Sequence, residues 1–430
     1  MVLGIVFPEG GSQCEADMIH RFRIQNFKSI IDVTVDLAPV TVLVGKSGTG
    51  KSNFVESIRA LRDILSSGQQ LDRLIEKWQS NQPSISPKEW QLTRPAINPQ
   101  EWQMARPASN PNAKTSFEIE FSIAGISERF FYDLCVGDNG PRPPYFKFNE
   151  HLRLGDKVLF HQAEGQWVCE PEVLQVPQPG PLALGNIPSI SEIVVAFTAL
   201  TVGVGCYTFP DKVLAGVRPN QGFNGGGHQN QSSFGLDDQA LNYLDALKDV
   251  GSNLQELHIR KSMVATLQRM NPSVSSVELD NIQEPTQVIV GHKFDKKILA
   301  LQLAQESDGF RRFYAHLLAL YQRPPKQTLL FEHPEDGIHP GALSLLADEF
   351  NAAPKEGRGQ VILTTHSPEL LDHYDADQIR VVELDGFATR IGPISTEQRE
   401  AIQDDLVDAG ELLTVDPARL DSAISEPDPA

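Results

Sequence analysis

The chain has 430 residues, 40% apolar, 22% charged and 7% aromatic, a balance that excludes collagenous, wholly disordered and disulfide-scaffold proteins. Its 37 basic and 56 acidic residues give a net charge of −19, which excludes a protein that coats nucleic acid over its whole surface. At this length two or three domains are expected, or one large domain with an insertion.

The four cysteines form no Cys-x-x-Cys pair, so neither a zinc ribbon nor a disulfide framework is indicated, and a cytoplasmic setting is expected. No apolar run approaches the roughly 18–20 residues that cross a bilayer, and no membrane association is expected. Charge is uneven along the chain. Residues 18–114 hold 13 basic against 8 acidic residues, and residues 381–430 hold 3 against 12. A local nucleic-acid contact would therefore lie in the N-terminal part.

Residues 1–17 lack any hydrophobic period and read as a disordered leader or as the product of a misassigned start ahead of Met18. From Ile19 to Val44 the alternating stretches HRFRIQNF, IDVTVDL and VTVLV predict short strands, and NFVESIRALRDIL (53–65) places Phe54, Ile58, Leu61 and Leu65 on one helical face. Residues 66–116 form a Pro-rich insertion with an internal duplication, PKEWQLTRPAIN followed by PQEWQMARPASN. Two copies do not make a solenoid. The duplication reads either as a repeated surface loop or as a nucleic-acid contact in which Trp90 and Trp102 stack on bases while Arg94 and Arg106 meet phosphates.

Residues 117–298 read as an antiparallel β lobe to about residue 170, irregular Pro- and Gly-rich stretches, a helix over 236–263, and strands at SSVELDNI and TQVIVGHKF. Alternating helix and strand return after Leu299: helix 310–322, apolar strand TLLFE (328–332), helix near 341–352, strand QVILTT (360–365) and a helix from Pro368. These predict a parallel α/β core built from 18–65 and 299–380, followed by an acidic tail over 381–430 with one or two docking helices.

Gly45-Lys46-Ser47-Gly48-Thr49-Gly50-Lys51-Ser52 matches G-x-x-x-x-G-K-[ST] between an apolar strand and a helix. The glycines let consecutive backbone N–H groups curl around a phosphate, and the helix that follows turns its positive end to the same anion. Lys51 would bridge β- and γ-phosphates of a nucleotide, and Ser52 would ligate Mg²⁺.

TLLFEHPEDGIHP (328–340) delivers acids at the end of an apolar strand, where a metal-linked carboxylate and a water-activating base are needed. QVILTTHSPELL (360–371) brings a second buried strand to a histidine, and ESDGFRRF (306–313) is a glycine-containing turn at a helix start. His339 and Asp336 read first as turn residues, and Asp308 as a helix cap or a nucleotide contact.

Together these pieces resemble the ABC-type ATPase head of the RecF, SMC and OLD proteins, and most closely the stand-alone AAA-family ATPases that include PtuA-like defence ATPases. The resemblance rests on MIHRFRIQNFKSI, GKSGTGKS, the DVGSNL turn (249–254), SDGFRRF, FEHPEDGIHP and TTHSPELL, in the family's order over residues 18–371. It implies an α/β, P-loop NTPase fold of ABC-ATPase type with an antiparallel β lobe and an inserted helical and irregular region.

The resemblance also implies ATP and Mg²⁺ as cofactors, Lys51 and Ser52 on phosphate and metal, Glu332 as the metal-linked acid, and His366 as the sensor of the γ-phosphate. ATP would be sandwiched in a homodimer, with Ser307, Asp308 and Gly309 of one copy capping the nucleotide of the other. Where such heads carry Asp-Glu-Pro-Glu, this chain has Glu332-His333-Pro334-Glu335. Three readings stay open: His333 activates water, Glu335 does, or turnover is slow and ATP acts as a holding ligand.

Only 58 residues follow Asp372, too few for a Toprim nuclease domain, and sustained heptads and a Cys-x-x-Cys hook are lacking, so a nuclease or other effector is expected on a separate chain. The expected function is an ATP-driven switch in DNA maintenance or phage defence, with DNA as a ligand. The alternatives are a nucleotide-loaded regulatory or assembly protein with little hydrolysis, or the nucleotide-binding subunit of a transporter, for which SDGFR matches LSGGQ poorly.

Overall fold

The computed structural model describes residues 17–67, 114–138, 146–163, 166–169, 172–175, 184, 191–210, 212–215, 235–249, 254–280 and 287–421. The leader, the duplicated segment with Trp90, Arg94, Trp102 and Arg106, and the middle of the DVGSNL turn lie outside these residues.

Strands β1 (Met18–Phe27), β2 (Ile30–Asp36), β4 (Thr115–Ser122), β5 (Phe130–Asp138), β6 (Phe146–Leu154), β7 (Lys157–Ala163), β8 (Gln166–Cys169) and β9 (Glu172–Gln175) form an antiparallel sheet in the order β2-β1-β4-β5-β6-β7-β8-β9. In β1 the buried residues are Ile19, Phe22, Ile24 and Phe27. The three-residue step from Ile19 to Phe22 breaks strict alternation, and a register shift between Ile19 and Arg21 restores it.

The second sheet holds β3 (Val40–Val44), β10 (Val204–Tyr207), β14 (Thr328–Glu332), β15 (Gln360–Thr364), β16 (Ile379–Asp385) and β17 (Ala388–Pro393), in the order β10-β14-β15-β3-β16-β17. The first five run parallel and β17 returns antiparallel. A parallel sheet is buried on both faces, which is why VTVLV, TLLFE and QVILT are nearly all apolar. Leu43, Leu330 and Ile362 join one core with Phe22, Phe54, Phe117 and Phe130 under the antiparallel sheet. Val42, Leu329, Phe331, Val361 and Leu363 join a second core with Phe313, Leu317, Leu346 and Phe350 of helices Asp308–Tyr321 and Leu343–Ala352.

The side chain of Gln360, at the start of β15, ties the parallel sheet to β1 of the antiparallel one. It donates to the carbonyls of Ile19 and Ala38 at 2.8 and 3.0 Å and accepts from Ile19 N at 3.0 Å. A buried amide so fully paired also fixes the register of β15, because an unpaired one would cost about 1–3 kcal/mol.

The structure departs from the sequence reading in three places. The stretch assigned to an acidic tail begins inside the core: β16 pairs in parallel with β3, and Val381 and Val382 are fully buried. Beyond it, helix Thr396–Gln403 and a 3₁₀ turn at Ala409–Leu413 stand where docking helices were expected. Within the helix predicted over 236–263, the described residues form helices Tyr243–Asp249 and Leu254–Met270. Its first residues are diverted because the Asp237 carboxylate accepts the N–H groups of Gln239, Leu241 and Asn242, an Asx-type turn that competes with helix. A third strand, β13 (Lys297–Gln302), extends the small sheet begun by β11 (Val274–Asp280) and β12 (Gln287–Phe294).

Candidate functional site

The Gly45–Ser52 loop joins β3 to helix Lys51–Ser67 at the carboxyl end of the parallel sheet. Gly45, Gly48 and Gly50 all have positive φ, at 153°, 81° and 108°. Gly45 and Gly50 also have no room for a side chain: a Cβ would lie 2.1 Å from the Val382 carbonyl at Gly45 and 2.1 Å from Thr389 Oγ1 at Gly50. Lys46, Ser47, Gly48 and Ser52 are exposed, while Thr49 is buried and its hydroxyl donates to the Lys46 carbonyl at 2.9 Å.

The loop is held from behind by a chain of hydroxyls. Thr389 Oγ1 donates to the Thr49 carbonyl at 2.9 Å and lies 2.6 Å from Ser29 Oγ, which accepts from Asn53 Nδ2 at 2.7 Å. Two residues outside the motif, Ser29 in the β1–β2 turn and Thr389 on β17, thus support it. Only adjacency in space shows this.

Lys51 is buried, and its ammonium donates to the carbonyls of Gly45 and Lys46 at 2.7 and 2.9 Å. Burial draws its pKa down to about 8 against the opposing pull of Glu335. Glu332 ends β14, with one carboxylate oxygen, Oε1, buried and unpartnered. Burial raises its pKa, opposed by the charge of Arg59. Arg59, which sequence reasoning missed, follows on the loop's own helix and approaches Asp238 at 4.0 Å, while Arg62 grips Asp238 with two hydrogen bonds of 2.8 Å.

His333 has a φ of 47°, a costly conformation for a side chain of its size. Its N–H is held by the carbonyl and hydroxyl of Thr364, at 3.1 and 3.2 Å. Its ring stacks on that of His366, with centroids 4.8 Å apart and planes 8° from parallel. His333 Nδ1 lies 3.8 Å from Glu335 Oε1, an ionic approach rather than a hydrogen bond, and this carboxylate raises the His333 pKa.

Glu335 Oε1 accepts the backbone N–H of His366 at 2.7 Å, and Oε2 is buried without a partner. Burial pushes the Glu335 carboxyl up, but His333 and the His366 N–H more than offset it and the net shift is downward. The exposed His366 is shifted down by its partial burial and by the nearby charges of Lys51 and His333. One cluster at the ends of β3, β14 and β15 therefore gathers Lys51, Glu332, His333, Glu335 and His366.

Ser307, Asp308 and Gly309 stand apart from it. Ser307 caps helix Asp308–Tyr321 by accepting the Phe310 N–H at 3.3 Å, and Asp308 pairs with Arg311. Ser307 and Asp308 are exposed, and Gly309 packs on Gly337, whose carbonyl would sit 2.9 Å from a Cβ there. His339 caps the 3₁₀ turn Pro340–Ala342 by accepting the Gly341 N–H, which is the turn role expected for it.

The donor set suits a hard cation. Glu332 offers an unpartnered carboxylate oxygen, and Ser52 an exposed hydroxyl at the second residue of the helix. Among the described residues no cluster of three or more His, Cys, Asp or Glu side chains is set to hold a metal alone. Nor, among them, is any helix long and apolar enough to cross a membrane.

The N-terminal excess of basic residues does not leave a bare cationic face in the described region. Arg21 pairs with Asp36, Arg23 with Asp32 and Glu118, Lys28 with Glu56, and Arg62 with Asp63 and Asp238.

Two family profiles match the chain. "AAA ATPase domain" covers residues 18–122, and "AAA domain, putative AbiEii toxin, Type IV TA system" covers residues 215–372. No curated protein matches. Among solved structures, the SMC head bound to the C-winged helix domain of ScpA is 13% identical, with a TM-score of 0.50 over 88% of this chain and 99% of that one. The SMC head with an extended coiled coil from Pyrococcus furiosus, bound to the C-terminal domain of ScpA, is 12% identical, with a TM-score of 0.49 over 91% and 99%. The SMC head domain from Thermotoga maritima is 10% identical, with a TM-score of 0.44 over 88% and 99%. Residues 18–122 and 215–372 thus match AAA ATPase domain profiles, and the chain is similar in fold to the SMC head.

Proposed function

We propose that the protein binds and hydrolyses ATP and that ATP closes two copies into a dimer, a switch that acts on DNA or on a partner effector in genome maintenance or phage defence. The observation that carries the ATPase reading is the meeting of the Gly45–Ser52 loop with two buried, unpartnered carboxylate oxygens, on Glu332 and Glu335. Buried charges left unpaired are costly, and such sites are kept where a ligand completes them.

In this reading the backbone N–H groups of Lys46–Ser52 cradle the phosphates, and the Lys51 ammonium turns from its own loop's carbonyls to the β- and γ-phosphates. Ser52 and Glu332 hold Mg²⁺, which when bound neutralises phosphate charge. Glu335, kept ionised by its neighbours, accepts the proton of the attacking water. His333, whose raised pKa favours the imidazolium, suits an orienting role better than that of a base. His366, exposed at the mouth of the site, meets the γ-phosphate. Ser307 and Asp308, exposed on their own protomer, cap the nucleotide of a second copy together with Gly309.

A second reading, ATP as a holding ligand with slow turnover, is favoured by an imidazole, stacked on His366, standing at position 333 where the resemblance calls for a glutamate. ATPase rate and oligomeric mass, with and without duplex DNA, for the wild type, Lys51→Ala and Glu335→Gln, separate the two. Hydrolysis lost in both variants, with ATP-dependent dimers kept in Glu335→Gln, supports the switch. Dimers that form without measurable hydrolysis in the wild type support the second reading. A monomer at every ATP concentration removes both.

A further inference from the structure

A buried polar chain runs from the small sheet to the turn that follows it. His292, on β12, is 4% exposed. Its Nδ1 lies 2.8 Å from the Ser273 hydroxyl, and its Nε2 lies 2.6 Å from Glu306 Oε1. A carboxylate can only accept, so Nε2 is the nitrogen that donates to Glu306. Ser273 is itself fixed: its hydroxyl reaches Asn271 Oδ1 at 2.8 Å, and its carbonyl accepts the Lys293 N–H at 2.7 Å. The imidazole is therefore held at both nitrogens.

Glu306 is the residue before the Ser307–Gly309 cap. Its backbone and that of Ser307 are extended, with ψ of 161° and 153°. The direction in which Ser307 is presented thus follows from where Glu306 is anchored. Two anchors hold Glu306. Its side chain, 9% exposed, rests on His292, and its carbonyl accepts from the Arg311 guanidinium, whose Nε donates to the Val213 carbonyl at 3.0 Å. The Ser307 side chain is exposed and accepts the Phe310 N–H over a long 3.3 Å, a weaker hold than the 2.6 Å contact one residue earlier. Without the imidazole, the Glu306 carboxylate is a buried charge short of a donor; it turns out to water and takes the adjoining serine with it.

We infer that His292 is a positioning residue for the cap: by holding Glu306 it sets Ser307 and Asp308 in the attitude in which they meet the nucleotide of the second copy. The small inserted sheet is then the part of the chain that aims the cap. This inference rests on the reading in which the cap acts across a dimer.

The test puts a variant into one copy at a time. A Lys51→Ala chain can supply only the cap and a Ser307→Arg chain only the loop, so a dimer of the two holds one intact site. His292→Leu is added to one chain or the other, and so is Glu306→Ala, which cuts the same tether without stranding a charge. The expected result for both variants is that ATPase activity of the mixture falls about tenfold or more when the change is in the Lys51→Ala chain and stays within about twofold when it is in the Ser307→Arg chain. His292→Gln, whose amide can donate in place of Nε2, should keep most of the activity in either chain. Equal losses from Glu306→Ala in the two chains, or no loss in either, overturn the inference. Hydrogen exchange gives a readout that needs no ATP. The amides of Phe310 and Arg311, which bond to Ser307, should exchange about tenfold faster in Glu306→Ala while those of β14 keep the wild-type rate. If the wild type hydrolyses no ATP, the ATPase reading falls; faster exchange at these two amides then still supports His292 as the holder of the turn, and unchanged exchange overturns it.

Discussion

The backbone N–H of His366 sits 2.7 Å from Glu335 Oε1, which ties the turn after β14 to the loop after β15. A glutamine at position 335 can still accept that N–H but cannot take a proton from water. Glu335→Gln is therefore expected to retain the fold and ATP affinity while losing turnover by about 10²–10³-fold. His333→Ala, which removes a stacked ring, is expected to cost about tenfold or less. Steady-state ATPase assays beside binding of a fluorescent ATP analogue check both. If the alanine variant is dead and the glutamine variant active, the imidazole is the acceptor.

The depressed pKa of Lys51 gives ATP affinity a pH dependence. Without nucleotide the ammonium loses its proton near pH 8. Bound phosphates favour the charged form and raise that value, so ATP binding takes up a proton. Affinity is expected to be flat below pH 8 and to weaken above it, by up to about tenfold per pH unit. Titration calorimetry in buffers of different ionisation enthalpy at pH 8.5 should show proton uptake in the wild type and none in Lys51→Met.

The loop glycines separate two kinds of strain. Gly48 has positive φ but open space around it, whereas Gly45 has positive φ and the Val382 carbonyl where a Cβ would stand. Gly48→Ala is expected to cost about 1 kcal/mol and to leave a measurable ATP affinity. Gly45→Ala must displace β16 and is expected to cost on the order of 3 kcal/mol and to abolish binding. Denaturation curves compared with nucleotide binding distinguish them. Equal effects would mean that the contact with β16 yields without cost.

Acid stability has an identifiable contributor away from the site. His316 is buried between the rings of Phe209, Phe331 and Phe350, and its Nδ1 lies 2.8 Å from the Arg312 carbonyl. Burial lowers its pKa to about 4. The unfolded chain, with an imidazole near 6.5, binds the proton first as pH falls. His316 therefore contributes its full share above pH 6.5 and loses it between 6.5 and 4, about 3 kcal/mol in all. His316→Phe should flatten the stability profile over that window, read from urea midpoints at intervals of half a pH unit. An unchanged slope would show that other groups carry it.

Much of this architecture is visible in the residues themselves. VTVLV, TLLFE and QVILT are short, apolar and bounded by turn residues, so their strands and the loops at their ends read directly. The Gly45–Ser52 spacing is a local signal, and it gives the strand–loop–helix turn without tertiary knowledge. What does not read is what depends on distance along the chain. Arg59 and Asp238 meet across 179 residues, and Ser29 and Thr389 across 360. Strands β16 and β17 hide in a stretch whose excess of acids comes mostly from the later helix and loops, while Val381, Val382 and Ile391 supply the burial. The late start of the helix predicted from residue 236 comes from one aspartate capping three N–H groups.

The central claim is that the Gly45–Ser52 loop of one copy and the Ser307–Gly309 cap of another make one ATP site, and complementation tests it most directly. Lys51→Ala disables the loop and Ser307→Arg the cap, so each variant alone is expected to show no ATP hydrolysis and no ATP-dependent dimer. Mixed in equal amounts, they can form a dimer with one intact site, in which the Ser307→Arg copy supplies the loop and the Lys51→Ala copy the cap. With random pairing, ATPase activity is expected to return to about a quarter of the wild-type value. If the mixture stays as inactive as its parts while wild type turns over, the site does not span two copies.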